Sequence, residues 1–199
     1  MTKTTQGSSA GQNPVKPSAD GIAAAASQAR RKGPPPVHLW NPPYCGDLDI
    51  EIRRDGLWFY LGTPIGREPL VRLFASILKL EDGRYYLVTP VEKVGIRVAD
   101  VPFIAVDAEA AGEGEGQVLT FTTNVGDEVA AGPGNPIRVE RDPATGEPSP
   151  YVHVRRGLEA RIDRKTFYRL VERGTHRDGW FGLWSGGVFF AVIPSNELA

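Results

Sequence analysis

The sequence predicts an α+β protein of two domains related by duplication of a ββαββ unit. The second domain extends into a curved sheet or open barrel with one helix. Three observations lead there. Short runs such as "DLDIEIR" alternate apolar and polar residues with the period of a half-buried strand. Twenty-three Gly and seventeen Pro among 199 residues supply the turns that many short strands require. Finally, the phrase "RRDGLWFYLGTPIGREPLVRLF" at 53–74 returns in altered form as "RRGLEARIDRKTFYRLV" at 155–171.

Taken in order, residues 1–18 are rich in Ser, Thr, Gly, Gln and Pro, a composition that predicts a disordered tail. Residues 19–36 combine an alanine-rich helix over 19–32 with a stiff "GPPP" linker. The first domain, 37–100, opens with a strand at 47–53 that places Leu48, Ile50 and Ile52 on one face, and "LWFYL" returns beside it. In "TPIGREPLVRLFASIL" the period changes. Leu70, Val71, Leu73, Phe74, Ile77 and Leu78 gather on one helical face, and Pro69 falls in the first turn, where no intrahelical N–H partner is lost. "RYYLVTP" and "EKVGIRV" then form a hairpin.

The second domain, 101–195, begins with the strands "PFIAVDAEA", "QVLTFTTN" and "NPIRVERD", separated by turn-rich segments. It then repeats the first unit. "SPYVHVRR" and "LEARI" are strands, "DRKTFYRLVERG" is a helix with Asp163 as its N-cap, and "RDGWFGLWS" and "GVFFAVI" follow as strands. The second half thus holds about seven strands and one helix, a sheet that must bury its apolar face under that helix. With the helices aligned, Ile65, Arg67, Leu70 and Leu73 meet Ile162, Arg164, Phe167 and Leu170. Beyond them Asp82-Gly83 meets Asp178-Gly179. One element order, one apolar register and one Asp-Gly turn point to duplication.

Composition narrows the function. A single cysteine, Cys45, forms no intramolecular disulfide and fits a reducing, cytoplasmic setting. Residues 1–36 carry five basic side chains against one acid, a charge of +4, which leaves −5 for the remainder of a chain whose net charge is −1. An acidic body does not offer the extended phosphate-neutralising surface that nucleic-acid binding needs. No apolar stretch approaches the roughly 20 residues of a membrane span, and "GIAAAASQARR" is too weakly apolar for a signal peptide.

The stretches "WNPPYCGDLDI", "DGLWFYLGTPIGREPLVRLFASIL", "YYLVTPVEKVGI", "TTNVGDEV", "YVHVRRGLEARI" and "FGLWSGGVFF" together resemble a bacterial family known as domain of unknown function 1285. They run from Trp40 to Phe190. The resemblance implies a two-domain α+β protein built by duplication, with a second domain superficially like a pleckstrin-homology barrel. It further implies a cleft between the domains for a nucleotide-like ligand and a part in signal transduction. It implies no established activity, and it does not reach the N-terminal tail.

Read for chemistry, the sequence has no metal or cofactor motif. His38, His153 and His176 lack partners at zinc-site spacing, and "GEGEG" sets glutamates where a phosphate would have to sit. Ser185 in "GLWSGG" is not a nucleophile elbow. What remains is arginine and aromatic. Arg67 opens a helix, Arg155 and Arg156 precede a hairpin turn, and a guanidinium grips phosphate with a planar fork. Trp58, Tyr60 and Trp184 offer flat faces. Thr89, Glu92 and Lys93 crowd polar groups into a hairpin, and Asn124 joins them from "TTNVGDEV". These ten residues are the expected ligand set for a small anionic or nucleotide-like molecule held between the domains without catalysis. Two alternatives stay open: a hydrolase using Asp127, Glu128 or Glu92, and an adaptor whose sheet binds a peptide edge.

Overall fold

The computed structural model describes residues 17–30 and 35–198. The predicted disordered tail, apart from Pro17 and Ser18, and the end of the predicted first helix with the start of its linker lie outside the described residues. Within them the chain is a two-domain α+β fold, mostly sheet, with three α-helices and a curled half-barrel sheet.

Helix α1 (Ala19–Arg30) starts at Ser18, whose Oγ accepts from Gly21 N at 3.2 Å, and buries Ala19, Ile22 and Ala26. That spacing is one face of a helix, and it rests on helix α2. Strands β1 (Tyr44–Ile52), β2 (Trp58–Tyr60) and β3 (Thr63–Pro64) lead into α2 (Glu68–Ser76). Strands β4 (Leu78–Glu81), β5 (Arg84–Val88) and β6 (Lys93–Val98) complete the first sheet, ordered β3-β2-β1-β6-β5-β4. All its neighbours are antiparallel except β1 and β6. On its buried side Phe74 of α2 stacks on Trp58 with ring centroids 6.3 Å apart.

The helix is shorter than its apolar pattern predicts. Ile77 leaves helical geometry and Leu78 opens β4, paired with Leu87. The β4–β5 ladder claims this backbone, closed by Asp82 and Gly83 at φ 50° and 76°, the hand that a two-residue hairpin demands. Residues at i+7 and i+8 fit a half-buried strand start as well as a helix, so periodicity alone could not find β4. The unit is therefore ββαβββ with a short added β3, not ββαββ.

The second domain holds nine strands rather than seven. Strands β7 (Phe103–Ala111), β8 (Val118–Thr123), β9 (Glu128–Ala130), β10 (Ile137–Arg141), β11 (Pro148–Arg155) and β12 (Leu158–Ile162) form the second sheet, ordered β10-β11-β12-β7-β8-β9. Here β12 and β7 are parallel. Helix α3 (Arg164–Val171) follows, capped by Asp163, whose Oδ1 accepts from Thr166 N at 2.6 Å. Strands β13 (Thr175–Arg177), β14 (Trp180–Ser185) and β15 (Val188–Pro194) form a three-stranded sheet. Strand β13 was not expected, because Thr175 and His176 fall between the predicted helix and the predicted strand "RDGWFGLWS". The Asp178-Gly179 turn needs a strand on either side, and Gly174 gives room to the Phe181 ring, which an added Cβ would meet at 2.1 Å.

Element order therefore repeats, with β1-β2-α2-β4-β5-β6 matched by β11-β12-α3-β13-β14-β15. Both Asp-Gly turns put the Asp at positive φ, 50° and 51°. Pairing does not repeat. In the first unit the last strand closes onto the first in parallel, whereas β15 packs beside β10 and β11 without a ladder, and β12 takes β7 instead. Ser185 holds the three-stranded sheet in place. Its hydroxyl accepts from Leu119 N at 2.8 Å and donates to Ala131 O at 2.7 Å.

Buried apolar side chains of both domains form one continuous cluster. At its edge the β1–β2 turn is seated in the second domain. A Cβ on Gly56 would lie 2.6 Å from Ile104 Cγ1 and 2.8 Å from Asn124 Nδ2, and the residue sits at φ 81°. Gly56→Ala is expected to cost about 3 kcal/mol, combining backbone strain and overpacking. Gly83→Ala shares the positive φ but meets nothing within 4 Å, so it should cost only about 1 kcal/mol. Urea denaturation of both variants checks the difference; equal losses would mean that the Gly56 seat is not tightly packed.

Candidate functional site

The seam between the domains is tied by three side chains of the second domain, each donating to a backbone carbonyl of the first. Arg161 NH2 donates to Arg54 O at 2.5 Å, Asn124 Nδ2 to Gly56 O at 3.3 Å, and Arg155 NH2 to Ala75 O at 3.0 Å. Asn124 is itself held by Ile104 N, which donates to its Oδ1 at 3.0 Å. Arg155 lies 5.0 Å over the Phe103 ring and also pairs with Asp127. Its cation meets the carbonyl end of α2, where the helix dipole favours positive charge.

At one end of this seam a cleft of about 330 Å³ opens beside α3, lined by Arg54, Arg161, Arg164, Glu147, Phe167 and Tyr168. That volume falls within the range of small-molecule sites. Arg54 comes from the β1–β2 turn of the first domain. Arg161 comes from β12, where alternation turns it away from the buried Leu158, Ala160 and Ile162. Arg164 opens α3, and its Nε donates to Tyr168 Oη at 3.1 Å, one helical turn on. Its NH2 reaches Glu147 Oε1 at 2.7 Å.

Asp100, at the join between domains, serves both of the other arginines. Its Oδ2 lies 3.8 Å from Arg54 Nε and 3.7 Å from Arg161 Nε, while Tyr151 Oη donates to Oδ1 at 3.2 Å. Neither arginine contact is a hydrogen bond, and Arg161 Nε is buried without an acceptor among the described residues. The carboxylate therefore compensates charge without saturating either guanidinium. Burial, and then the charge of Asp100, raise the Tyr151 phenol above its ordinary value. The lining side chains include three guanidiniums and one carboxylate, Glu147, while Asp100 and Asp142 lie near Arg54 outside the lining.

None of the ten expected ligand residues lines this cleft. Trp58 is in the core, 2% exposed, and Tyr60 is half-buried beside it in β2, so the flat faces expected for a ligand are used for packing. Trp184 is buried in β14 against Phe189, with Arg177 over its ring at 4.7 Å. Arg67 is exposed at the start of α2 and faces α1 across a shallow groove. Thr89 closes its own hairpin turn, its Oγ1 accepting from Glu92 N at 3.2 Å. Lys93 pairs with Glu81 at 2.7 Å rather than with the half-buried Glu92. Asn124 and Arg155 are seam ties, and Arg156 sits in the β11–β12 turn beside a second, smaller cavity.

The carboxylates considered for hydrolysis occupy two separate hairpins, Glu92 in one and the adjacent Asp127 and Glu128 in the other. Glu92 is in the β5–β6 turn, Asp127 is paired with Arg155, and Glu128 is exposed on β9. Among the described residues no group of three His, Cys, Asp or Glu is placed to hold a metal ion. No described helix is long and apolar enough to cross a membrane.

Comparison with known families matches the chain in two adjoining parts. Residues 35–101 match "Domain of unknown function (DUF1285), N-terminal domain", and residues 102–192 match "Protein of unknown function (DUF1285), C-terminal domain". The chain belongs to the DUF1285 family. A crystal structure of a DUF1285 family protein from Silicibacter pomeroyi DSS-3 is 67% identical, with a TM-score of 0.85, over 91% of this chain and 99% of that one. A DUF1285 family protein from Shewanella baltica OS155 is 31% identical, with a TM-score of 0.50, over 63% of this chain and 92% of that one. Comparison with curated proteins returned no match.

The cleft yields a pH prediction. Because folding raises the phenol of Tyr151, and burial likewise raises that of Tyr85, the folded state binds these protons more tightly than the unfolded chain. Their contribution is complete below the ordinary value of 10.0 and is lost as pH rises through the folded values. Urea denaturation at pH 9 and pH 11 should show the loss, and Tyr151→Phe should reduce it. An unchanged pH dependence in that variant would contradict the assignment.

Proposed function

We propose that the chain binds a small anionic molecule with a flat part, nucleotide-like in that sense, in the cleft beside α3. The observation that carries this reading is the convergence of Arg54, Arg161 and Arg164 on one concavity with the exposed ring of Tyr168 in its wall. Guanidiniums offer planar, bidentate donors to phosphate or carboxylate, and the contacts of Arg54 and Arg161 with Asp100, at 3.8 and 3.7 Å, are too long to be hydrogen bonds. Tyr168 takes the stacking role for which Trp58 and Tyr60 are too buried.

Arg54 belongs to one domain and Arg161 with Arg164 to the other, so an occupant touching both binds the closed seam and not an opened one. Differential affinity of that kind is what a signalling role requires, and a bacterial signal-transduction protein is the setting we propose. An exposed, unpaired thiol at Cys45 fits a cytoplasmic location. We read the two units as copies of one ancestral unit, supported by the repeated element order and the matching Asp-Gly turns. In the same reading the half-barrel sheet with α3 is a pleckstrin-homology-like barrel whose pairing has diverged.

Titration calorimetry against a panel of nucleoside mono- and diphosphates at low salt tests the proposal. The unmodified chain should bind at least one member, and Arg164→Ala should weaken that binding about tenfold or more through loss of a charge-assisted contact. Tyr168→Ala should also weaken it. No heat and no rise in melting temperature with any member of the panel would refute the reading.

A further inference from the structure

A second cavity lies at the other tip of the seam, where the β11–β12 turn meets β4 of the first domain. It encloses about 150 Å³, too small for the molecule proposed for the larger cleft. Its polar lining is Ser76, His38, Lys79, Arg155 and Arg156, and its apolar lining includes Leu80 and Leu158. The turn approaches the first domain closely, since a Cβ on Gly157 would lie 3.4 Å from Leu80 Cδ2.

The charge distribution is one-sided. Lys79 and Arg155 are largely buried, with side chains 20% and 28% exposed. Their carboxylate partners, Glu81 and Asp127, do not line the cavity. Lys79 Nζ reaches Glu81 Oε1 at 2.5 Å and Trp40 O at 3.3 Å, and Arg155 divides its donors between Asp127 and Ala75 O. Arg156 makes no ion pair or side-chain hydrogen bond among the described residues. The hydroxyl of Ser76 is committed to Leu73 O at 2.6 Å. The cavity wall thus combines three cationic side chains and a histidine with no acid, over an apolar floor of Leu78, Leu80 and Leu158. In such a place an anion gains more than it would on an open surface.

We infer that this cavity is a second binding site, independent of the larger cleft, for a compact oxyanion of phosphate or carboxylate size. Arg156 supplies its uncommitted donor, while Lys79 and Arg155 supply the surrounding positive potential.

Inorganic phosphate is the probe, titrated at low ionic strength into the full chain labelled with nitrogen-15. Backbone amides of residues 76–80 and 155–158 should shift and saturate. Arg156→Asn removes the charge and keeps a residue that tolerates the positive φ of 46° at this position. It should weaken phosphate binding there about fivefold, the loss of one partly exposed charge-assisted contact, and leave shifts at residues 161–168 unchanged. Amides 76–80 and 155–158 that do not respond, or that respond equally in Arg156→Asn, overturn the inference. Response at 161–168 without response here leaves the larger cleft standing and removes this site, and the converse result removes only the larger cleft.

Discussion

The structure depends on how one hairpin tip of the first domain seats in the second. Gly56 can enter only because it lacks a side chain, and the carbonyls exposed by that turn must then be satisfied. The second domain supplies the donors. Arg161 and Asn124 reach Arg54 O and Gly56 O, and Arg155 does the same for the last turn of α2. Each donor is a side chain and each acceptor is backbone, so the first domain is gripped by its main chain. With the continuous apolar cluster beneath, this makes the two domains one mechanical unit.

The same seating places both cavities. A turn that must carry arginine and glycine to a domain boundary also leaves a concavity on its flank, because a narrow tip cannot fill the space between two sheets. At the β1–β2 turn the flank is walled by α3 and becomes the larger cleft; at the β11–β12 turn it is walled by β4 and becomes the smaller. Arginine serves twice in this arrangement. Arg161 spends one nitrogen on a carbonyl of the other domain and shares a single carboxylate, Asp100, with Arg54. Because Asp100 is hydrogen-bonded to neither guanidinium, both keep donors for another acceptor, which is the physical basis for an anion site.

Much of the fold was legible in the sequence. Alternation found β1, Asp163 announced α3, and short apolar runs bounded by turn signals found β5, β6, β8, β12, β14 and β15. Strand β4 escaped because it is short and the apolar period of α2 continues into it, and β13 because its three residues, Thr, His and Arg, carry no apolar alternation. The site was less legible. Arg54 lies at a turn and Arg164 at a helix start, yet neither was in the expected ligand set, and Arg161 looked like any charged residue on the polar side of a strand. Nothing local shows that Asp100 lies between it and Arg54, since that contact spans two domains. Trp58 and Trp184 misled for the opposite reason. A large ring is as useful to a core as to a ligand, and the sequence does not say which face of its strand is covered.

Native-state hydrogen exchange tests the central claim most directly. If the seam makes one unit of two domains, the slowest amides of β6 and of β7 should open with the same free energy, within about 1 kcal/mol, as one cooperative unit. Opening free energies that differ by more than about 2 kcal/mol would show two domains that unfold separately, and would contradict the account.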